Sequence, residues 1–409
     1  MKRVHRRIGL VAGFVLLAAL AISGAAPVAA RTPGSGAPEI GSSDWRQVSA
    51  GGDHTCGIRR SGRLYCWGSD TFGQLGNGAT TGPRSTPVEV TGTATDWASV
   101  SAGARHTCAV KTTGRLYCWG DDNNDQLGNG APVGDRPAPV EVSGAATNWA
   151  SVSAGGGHTC AVKTTHRLYC WGGDLNGQLG NGTAIGNRAT PVQVAGAAAN
   201  WASVSAGVRH TCALKTTRRL YCWGADNNGR LGNGNISGDR PVPGQVAGGA
   251  TDWASVTAGG HTCALKTSRR LYCWGGDLNG QLGNGGTTGD QRSPVEVVGG
   301  ATNWAAVDVG AVNTCARKTS GRLYCWGADV SGQLGNGGTL PGTDQASPAQ
   351  VAGGGTDWAT VDVGDAHTCA RITTGRLYCW GNNNSGTLGN GVDDPTLADR
   401  SRPVEVFVP

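Results

Sequence analysis

A tryptophan recurs at Trp45, Trp97, Trp149, Trp201, Trp253, Trp304 and Trp358, at steps of 52, 52, 52, 52, 51 and 54 residues. Self-similarity at one fixed period means one supersecondary unit copied, with neighbouring copies burying each other's apolar faces. The second copy reads DWASVSAGARHTCAVKTTGRLYCWGDDNNDQLGNG, then a variable stretch, then APVEV. Seven such units run from Trp45 to Val406 and leave no room for another domain. Each unit reads as four short strands: in the second, Trp97 to Ser101, a hairpin of His106 to Lys111 with Arg115 to Trp119, and Pro139 to Val142. Runs this short, rich in β-branched and aromatic residues and broken by Gly and Asn, are an all-β signature.

Alternation puts Cys108, Val110, Leu116 and Cys118 on one side of the hairpin and Ala109, Tyr117 and Trp119 on the other. Both sides are largely apolar, so both must be covered. A radial stack of small sheets does this, each blade packing between two neighbours. A solenoid would need polar end caps, and the first and last units resemble the middle ones. The chain is therefore predicted to be an all-β, seven-bladed β-propeller over residues 45–409, with four short antiparallel strands per blade. Ring closure is expected by a latch, residues 403–406 completing the first blade.

The first thirty residues differ in kind. Lys2, Arg3, Arg6 and Arg7 precede an apolar run from Ile8 to Ile22, and Val28-Ala29-Ala30 precede Arg31. That order predicts a signal peptide over 1–30, a linker over 31–44, and a secreted or envelope-exterior protein. The chain's formal charge is +6, and these thirty residues hold four of its basic residues and no acid, so 6 − 4 leaves +2. A near-neutral remainder gives no ground for nucleic-acid binding.

All 14 cysteines lie in the repeats, in pairs ten apart: Cys56 and Cys66, Cys108 and Cys118, Cys160 and Cys170, Cys212 and Cys222, Cys263 and Cys273, Cys315 and Cys325, Cys369 and Cys379. In an exported chain these read as cystines. A three-residue hairpin loop with Gly114 in the left-handed conformation sets Cys108 opposite Cys118 at a non-hydrogen-bonded site, close enough for a disulfide. His166, Arg218 and Arg269 replace that glycine in three copies, where a different loop with the same pairing is expected. Metal binding is the rival reading. One cysteine pair with the histidine two residues upstream supplies three ligands, the sixth copy has Asn313 there, and cystine sulfur does not ligate zinc. The histidines are expected to form hydrogen bonds at strand starts. Asp174-Leu175-Asn176-Gly177 lacks the ligand spacing of a calcium loop. No metal or cofactor is predicted.

The string G..HT.A......LY.WG.....GQLGNG, present in nearly every unit, resembles the regulator of chromosome condensation repeat, in a secreted bacterial form. The resemblance covers residues 45–406 and implies a seven-bladed propeller. It carries no catalytic residue over. The eukaryotic namesake exchanges nucleotide on a small GTPase in the nucleus, and this chain departs from it in its cystines, its leader and its lack of a long insertion. Secreted propeller-type inhibitors of β-lactamases are similar in fold and compartment.

Strand direction divides the loops between two faces. One carries the loops before each histidine, with Asp53, Arg105, Arg209 and Asp365, and the long loops after each WG, with Asp70, Asp121, Asp122, Asp174, Asp226, Asp277 and Asp329. Variable loops on a repeated scaffold are the usual way to build a binding surface, and these eleven residues are the candidate binding set. The other face carries hairpin tips rich in Lys and Arg, such as Arg60, Lys111 and Arg218, and is expected to be basic, the charges serving either as soluble hairpin ends or as a weak contact for anionic envelope polymer or lipid headgroups. No unique acid, base or nucleophile stands out in one blade. The reading is a monomeric, non-catalytic binding propeller for an extracellular protein or glycan. A hydrolase or lyase in the propeller mouth and a purely structural protein are the alternatives.

Overall fold

The computed structural model describes residues 44–407, apart from 185, 236–237, 288, 339 and 392–397. The signal peptide expected over 1–30 and the linker up to residue 43 lie outside the described residues. Seven four-stranded antiparallel sheets form, each from one repeat. In the first blade β1 (Trp45–Ala50), β2 (His54–Arg59), β3 (Leu64–Gly68) and β4 (Arg84–Glu89) pair in chain order. The other six blades repeat this order, so the seventh runs Trp358–Val363, His367–Ile372, Leu377–Gly381 and Arg400–Glu405.

The latch does not form. Arg400–Glu405 pairs with Leu377–Gly381 of its own blade, Tyr378 against Glu405 and Cys379 against Val404. Sequential strands usually neighbour one another, and here the long loop folds back far enough for every PVEV-type strand to finish its own sheet. The ring closes without a shared strand, by packing of β1 against the first two strands of the seventh blade and by hydrogen bonds such as Trp45 N–H to the Gly375 carbonyl.

The core is divided into seven layers, one between each pair of blades. Between the second and third, Cys108, Val110, Leu116, Cys118 and Leu127 meet Trp149, Ala161 and Trp171. Between the seventh and first, Cys369, Leu377, Cys379 and Leu388 meet Trp45, Val48 and Trp67. This is the two-sided hairpin expected from the alternation, with the cystine side facing the next blade and the Tyr/Trp side the previous one.

A polar stitch crosses the same interfaces. His54 Nε2–H donates to Thr107 Oγ1 at 2.8 Å, and the Thr107 hydroxyl donates to the Gln74 carbonyl at 2.9 Å. Trp119 Nε1–H donates to that same carbonyl at 3.0 Å. The pattern recurs at His106, His158, His210, His261 and His367, so the histidines are strand-start hydrogen-bond formers. Burial holds them neutral, pulling His54 down to about 3 and His106 to about 4. Asn313, in the sixth blade, is too short to cross, and its amide finds no partner.

All seven cystines form within blades, with Cα atoms 4.0–4.1 Å apart. The hairpin loop does not change where glycine is replaced, contrary to expectation. His166, Arg218 and Arg269 take φ of 58°, 60° and 61°. Interblade bonding overrides the local cost, because the carbonyl of each accepts the N–H of the next blade's Trp201, Trp253 or Trp304.

Candidate functional site

The first strand of each blade lines the central channel and delivers the next turn to one face, where the long loops also gather. At the channel mouth Gly51, Gly103, Gly155, Gly207, Gly259, Gly310 and Gly364 form a ring. A β-carbon on Gly51 would lie 2.4 Å from the Gly103 oxygen, so the blades approach too closely here for any side chain. Backbone bonds run around the mouth from blade to blade, from Gly52 N–H to Gly103 and finally from Asp365 N–H back to Gly51. They enclose a cavity of about 240 Å³.

Two residues before each ring glycine, the copies are unlike. Ser49, Ser101, Ser153 and Ser205 each accept a hydrogen bond from the next blade's backbone, as Ser49 Oγ does from Ala102 N–H at 3.0 Å. The fifth blade has Thr257 at this position, and the sixth and seventh have Asp308 and Asp362. Asp308 accepts the Thr257 hydroxyl at 2.7 Å and Val363 N–H at 2.7 Å. Asp362 accepts Ala50 N–H at 2.6 Å, joining the last blade to the first. Both carboxyls touch the cavity and are otherwise walled by protein. Burial pushes Asp308 up to about 6; burial and then the Asp308 charge push Asp362 well above the usual range. Sequence reading passed over this adjacent pair. The signal was the Asp that ends WAAVD and WATVD, where the other five copies end in Ser or Thr (WRQVS, WASVS three times, WASVT).

The structure separates the eleven candidate binding residues into two groups. Asp53, Arg105, Arg209 and Asp365 are exposed around the mouth, Arg105 lying 5.0 Å over the ring of Phe72. Asp70, Asp122, Asp174, Asp226, Asp277 and Asp329 are turned inward and buried. Each accepts the N–H of the loop leucine five residues on, such as Leu75 from Asp70 at 3.1 Å. Asp121 is also buried and bonds Asn123. These carboxylates shape the loops from inside. Burial raises Asp122 to about 6.

What the loops present outward is partly aliphatic. Leu278 is 79% exposed, Leu175 76% and Val330 63%. They follow Asp277, Asp174 and Asp329, and Val133, Val208 and Leu340 are also exposed in loops of the same face. The loop tips are tied to the next blade, Asn176 to Asp239 at 2.6 Å and Asn279 to Asp344 at 2.7 Å, which fixes the surface in advance. Composition had drawn attention to the charges, and these apolar tips went unremarked. No group of three His, Cys, Asp or Glu is placed to hold a metal among the described residues.

The opposite face is less basic than its sequence. Arg63, Arg115, Arg270 and Arg376 pair with Glu89, Glu141, Glu296 and Glu405 of their own blades. Arg59, Lys111 and Lys266 pair with Asp44, Asp96 and Asp252. Part of the expected positive ring is thus answered inside the first, second, fifth and seventh blades.

Fold and site together define a disulfide-braced, seven-bladed propeller with a rigid crown of variable loops around one mouth of its channel. The RCC1-like domain model matches residues 23–299 and again 130–408. The chain belongs to this regulator of chromosome condensation repeat family. The ultraviolet-B receptor UVR8 of Arabidopsis thaliana is 32% identical over 355 residues, covering 84% of this chain and 78% of the receptor. The Homo sapiens E3 ubiquitin-protein ligase HERC2 is 27% identical over 85% of this chain, which spans 7% of the ligase. Among solved structures, human WBSCR16 has a TM-score of 0.73 at 19% identity, covering 85% of this chain and 95% of that one. Prp20p from Saccharomyces cerevisiae, described with its binding properties to Gsp1p and histones, has a TM-score of 0.70 at 17% identity, covering 89% and 88%. At these identities the two structures speak for the fold.

Proposed function

We propose that this protein is an exported, non-catalytic propeller that binds a protein partner through its variable-loop face. The observation that carries the reading is the set of exposed aliphatic tips on that face, Leu175, Leu278 and Val330. Exposed apolar side chains gathered on a pre-organised surface and rimmed by polar groups are what a protein interface requires. Aliphatic rather than aromatic tips favour protein over glycan, and the protein binding described for Prp20p accords with this use of the fold. The leader-like residues 1–30 and the seven cystines point to an oxidising compartment.

The channel carboxylates favour an enzyme as the second reading, since two adjacent acids in one cavity are the asymmetry a catalyst needs. Both oxygens of Asp308 and one of Asp362 are already taken by hydrogen bonds that join blades. That occupancy suits a structural role better.

The test is crosslinking of the native protein to its extracellular surroundings. A triple variant, Leu175→Asp, Leu278→Asp and Val330→Asp, is compared with Lys163→Glu on the opposite face. Loss of a saturable crosslinked protein in the triple variant alone is the expected result. Equal capture by all three forms would refute the loop-face reading, and an intact mass that retains residues 1–30 would refute cleavage of the leader.

A further inference from the structure

In the second to sixth blades the second strand ends in a lysine folded back over its own blade's aromatics. Lys111, Lys163, Lys215, Lys266 and Lys318 place Nζ 4.7–5.3 Å from the centroid of the blade's first tryptophan. The same atoms lie 4.8–5.6 Å from the blade's tyrosine. In the first blade the Arg59 guanidinium takes this place, 5.8 Å from Trp45 and 5.9 Å from Tyr65. Where the residue before the tryptophan is Asp, it pairs with the cation, as Asp96 does with Lys111 at 2.9 Å. Six blades thus show one receptor for a cation: an indole, a phenol ring and, in three of them, a carboxylate.

The seventh blade keeps the receptor and lacks the strand-end cation: none lies over Trp358 among the described residues, while the Arg376 guanidinium lies 5.5 Å from the Tyr378 centroid. Trp358 and Tyr378 stand edge to face with centroids 5.7 Å apart, as their counterparts do, and Asp357 precedes Trp358. The residue paired with Trp358 is Ile372, which has no charge and is too short to reach the ammonium position. A pocket of about 480 Å³ opens there, lined by Asp357, Trp358, Ile372 and Tyr378 together with Arg376 and Arg402. Trp358 is 7% exposed against 1–4% for the six others. Asp357 makes no ion pair among the described residues.

We infer that the seventh blade binds an alkylammonium group, of the kind a lysine side chain carries, between Trp358 and Tyr378 with Asp357 as its counter-ion. The two arginines do not bar it. Arg376 stands over Tyr378 alone and is held by Glu405, its Nε donating to Oε1 at 2.7 Å, which leaves the Trp358 ring without a cation over it among the described residues. The same Arg–Glu pair coexists with a seated lysine in the second and fifth blades, Arg115 with Glu141 beside Lys111 and Arg270 with Glu296 beside Lys266. Arg402 is exposed and its charge is screened by solvent. A cation over aromatic faces is favoured by the ring quadrupoles, and a primary ammonium is the group this arrangement already accepts five times in the same chain. The site lies on the hairpin-tip face and is independent of the loop-face reading.

The experiment uses the full folded protein with 15N-labelled indoles, the Trp358 signal being assigned by its loss in Trp358→Phe. Titration with n-butylammonium is expected to shift that signal saturably, while n-butanol of the same length leaves it unmoved. Ile372→Lys supplies the missing cation internally. It is expected to keep the other indole signals in place and to abolish the response to butylammonium. Tyr378→Leu is expected to weaken binding roughly tenfold. An acetyl-Gly-Lys-Gly-amide peptide binding tighter than butylammonium assigns the ligand to polypeptide, and equal affinity assigns it to free amines. An unshifted signal, an equal response to butanol, or a response that survives in Ile372→Lys overturns the inference.

Discussion

Gly114 and its counterparts show how far a residue's own preference decides its conformation. At the hairpin tip the backbone needs a positive φ, which glycine adopts freely and other L-residues at a cost of about 1–2 kcal/mol. Arg218 and Arg269 nonetheless take it, because the next blade's tryptophan N–H claims their carbonyl. The reverse exchange is not free. A β-carbon on Gly114 would lie 2.3 Å from the Thr147 oxygen, so Gly114→Arg is expected to destabilise by about 1–2 kcal/mol, read from denaturant midpoints. A result indistinguishable from wild type would show that the linker yields there as it does in the fourth and fifth blades. The sequence reading missed this because it weighed φ alone, and the deciding hydrogen bond comes from the following repeat. Asp174 and Asp277 misled it in a similar way. An acid next to a loop looks like a surface group, and only the leucine N–H five residues on reveals it as an internal brace.

The hairpin was the most legible element, since a spacing of ten between cysteines and a period of two in the strands admit one register. Cys108 opposite Cys118, Val110 opposite Leu116 and Ala109 opposite Tyr117 all hold. The outermost strand was less legible, because PVEV carries no mark of which sheet it belongs to. Each cystine closes a short loop, so its removal costs about 2–3 kcal/mol in chain entropy. Both sulfurs of the second blade are wholly buried in the layer against the third, which adds a cavity penalty. Replacing Cys108 and Cys118 together by Ala is expected to lower the unfolding free energy by roughly 3–4 kcal/mol. Loss of less than about 1 kcal/mol in calorimetry would assign the hairpin's strength to its ladder and the Trp149 contact instead.

For the whole ring, two sets of buried titratable groups pull in opposite directions. Burial holds six histidines below their ordinary value, five of them at about 3 to 4 and His210 well below it. Their contribution is complete above pH 6.5 and is lost as pH falls toward 4. Asp308, at about 6, and Asp362, well above the usual carboxylate range, behave oppositely: their contribution is complete below pH 4 and is lost as pH rises through the raised values. The buried loop carboxylates, raised as far as about 6 at Asp122, act with the channel pair. The six histidines are displaced furthest and dominate in acid, and above pH 7 they are neutral in both states. The melting temperature is therefore expected to climb from pH 4 to about 6 and decline gently toward pH 8. Asp308→Ser with Asp362→Ser, restoring the residue of the first four blades, is expected to raise stability at pH 8 and flatten the decline. An unchanged slope would remove the pair as its cause. The pair itself could be read in WAAVD and WATVD, but its place facing the channel could not, since that depends on which strand is innermost. Closure without a shared strand has a consequence for descent. Each sheet begins and ends within one repeat, so a duplication or deletion cut in any two linkers inherits whole sheets and never a fragment, and such a lineage can change its count one complete copy at a time.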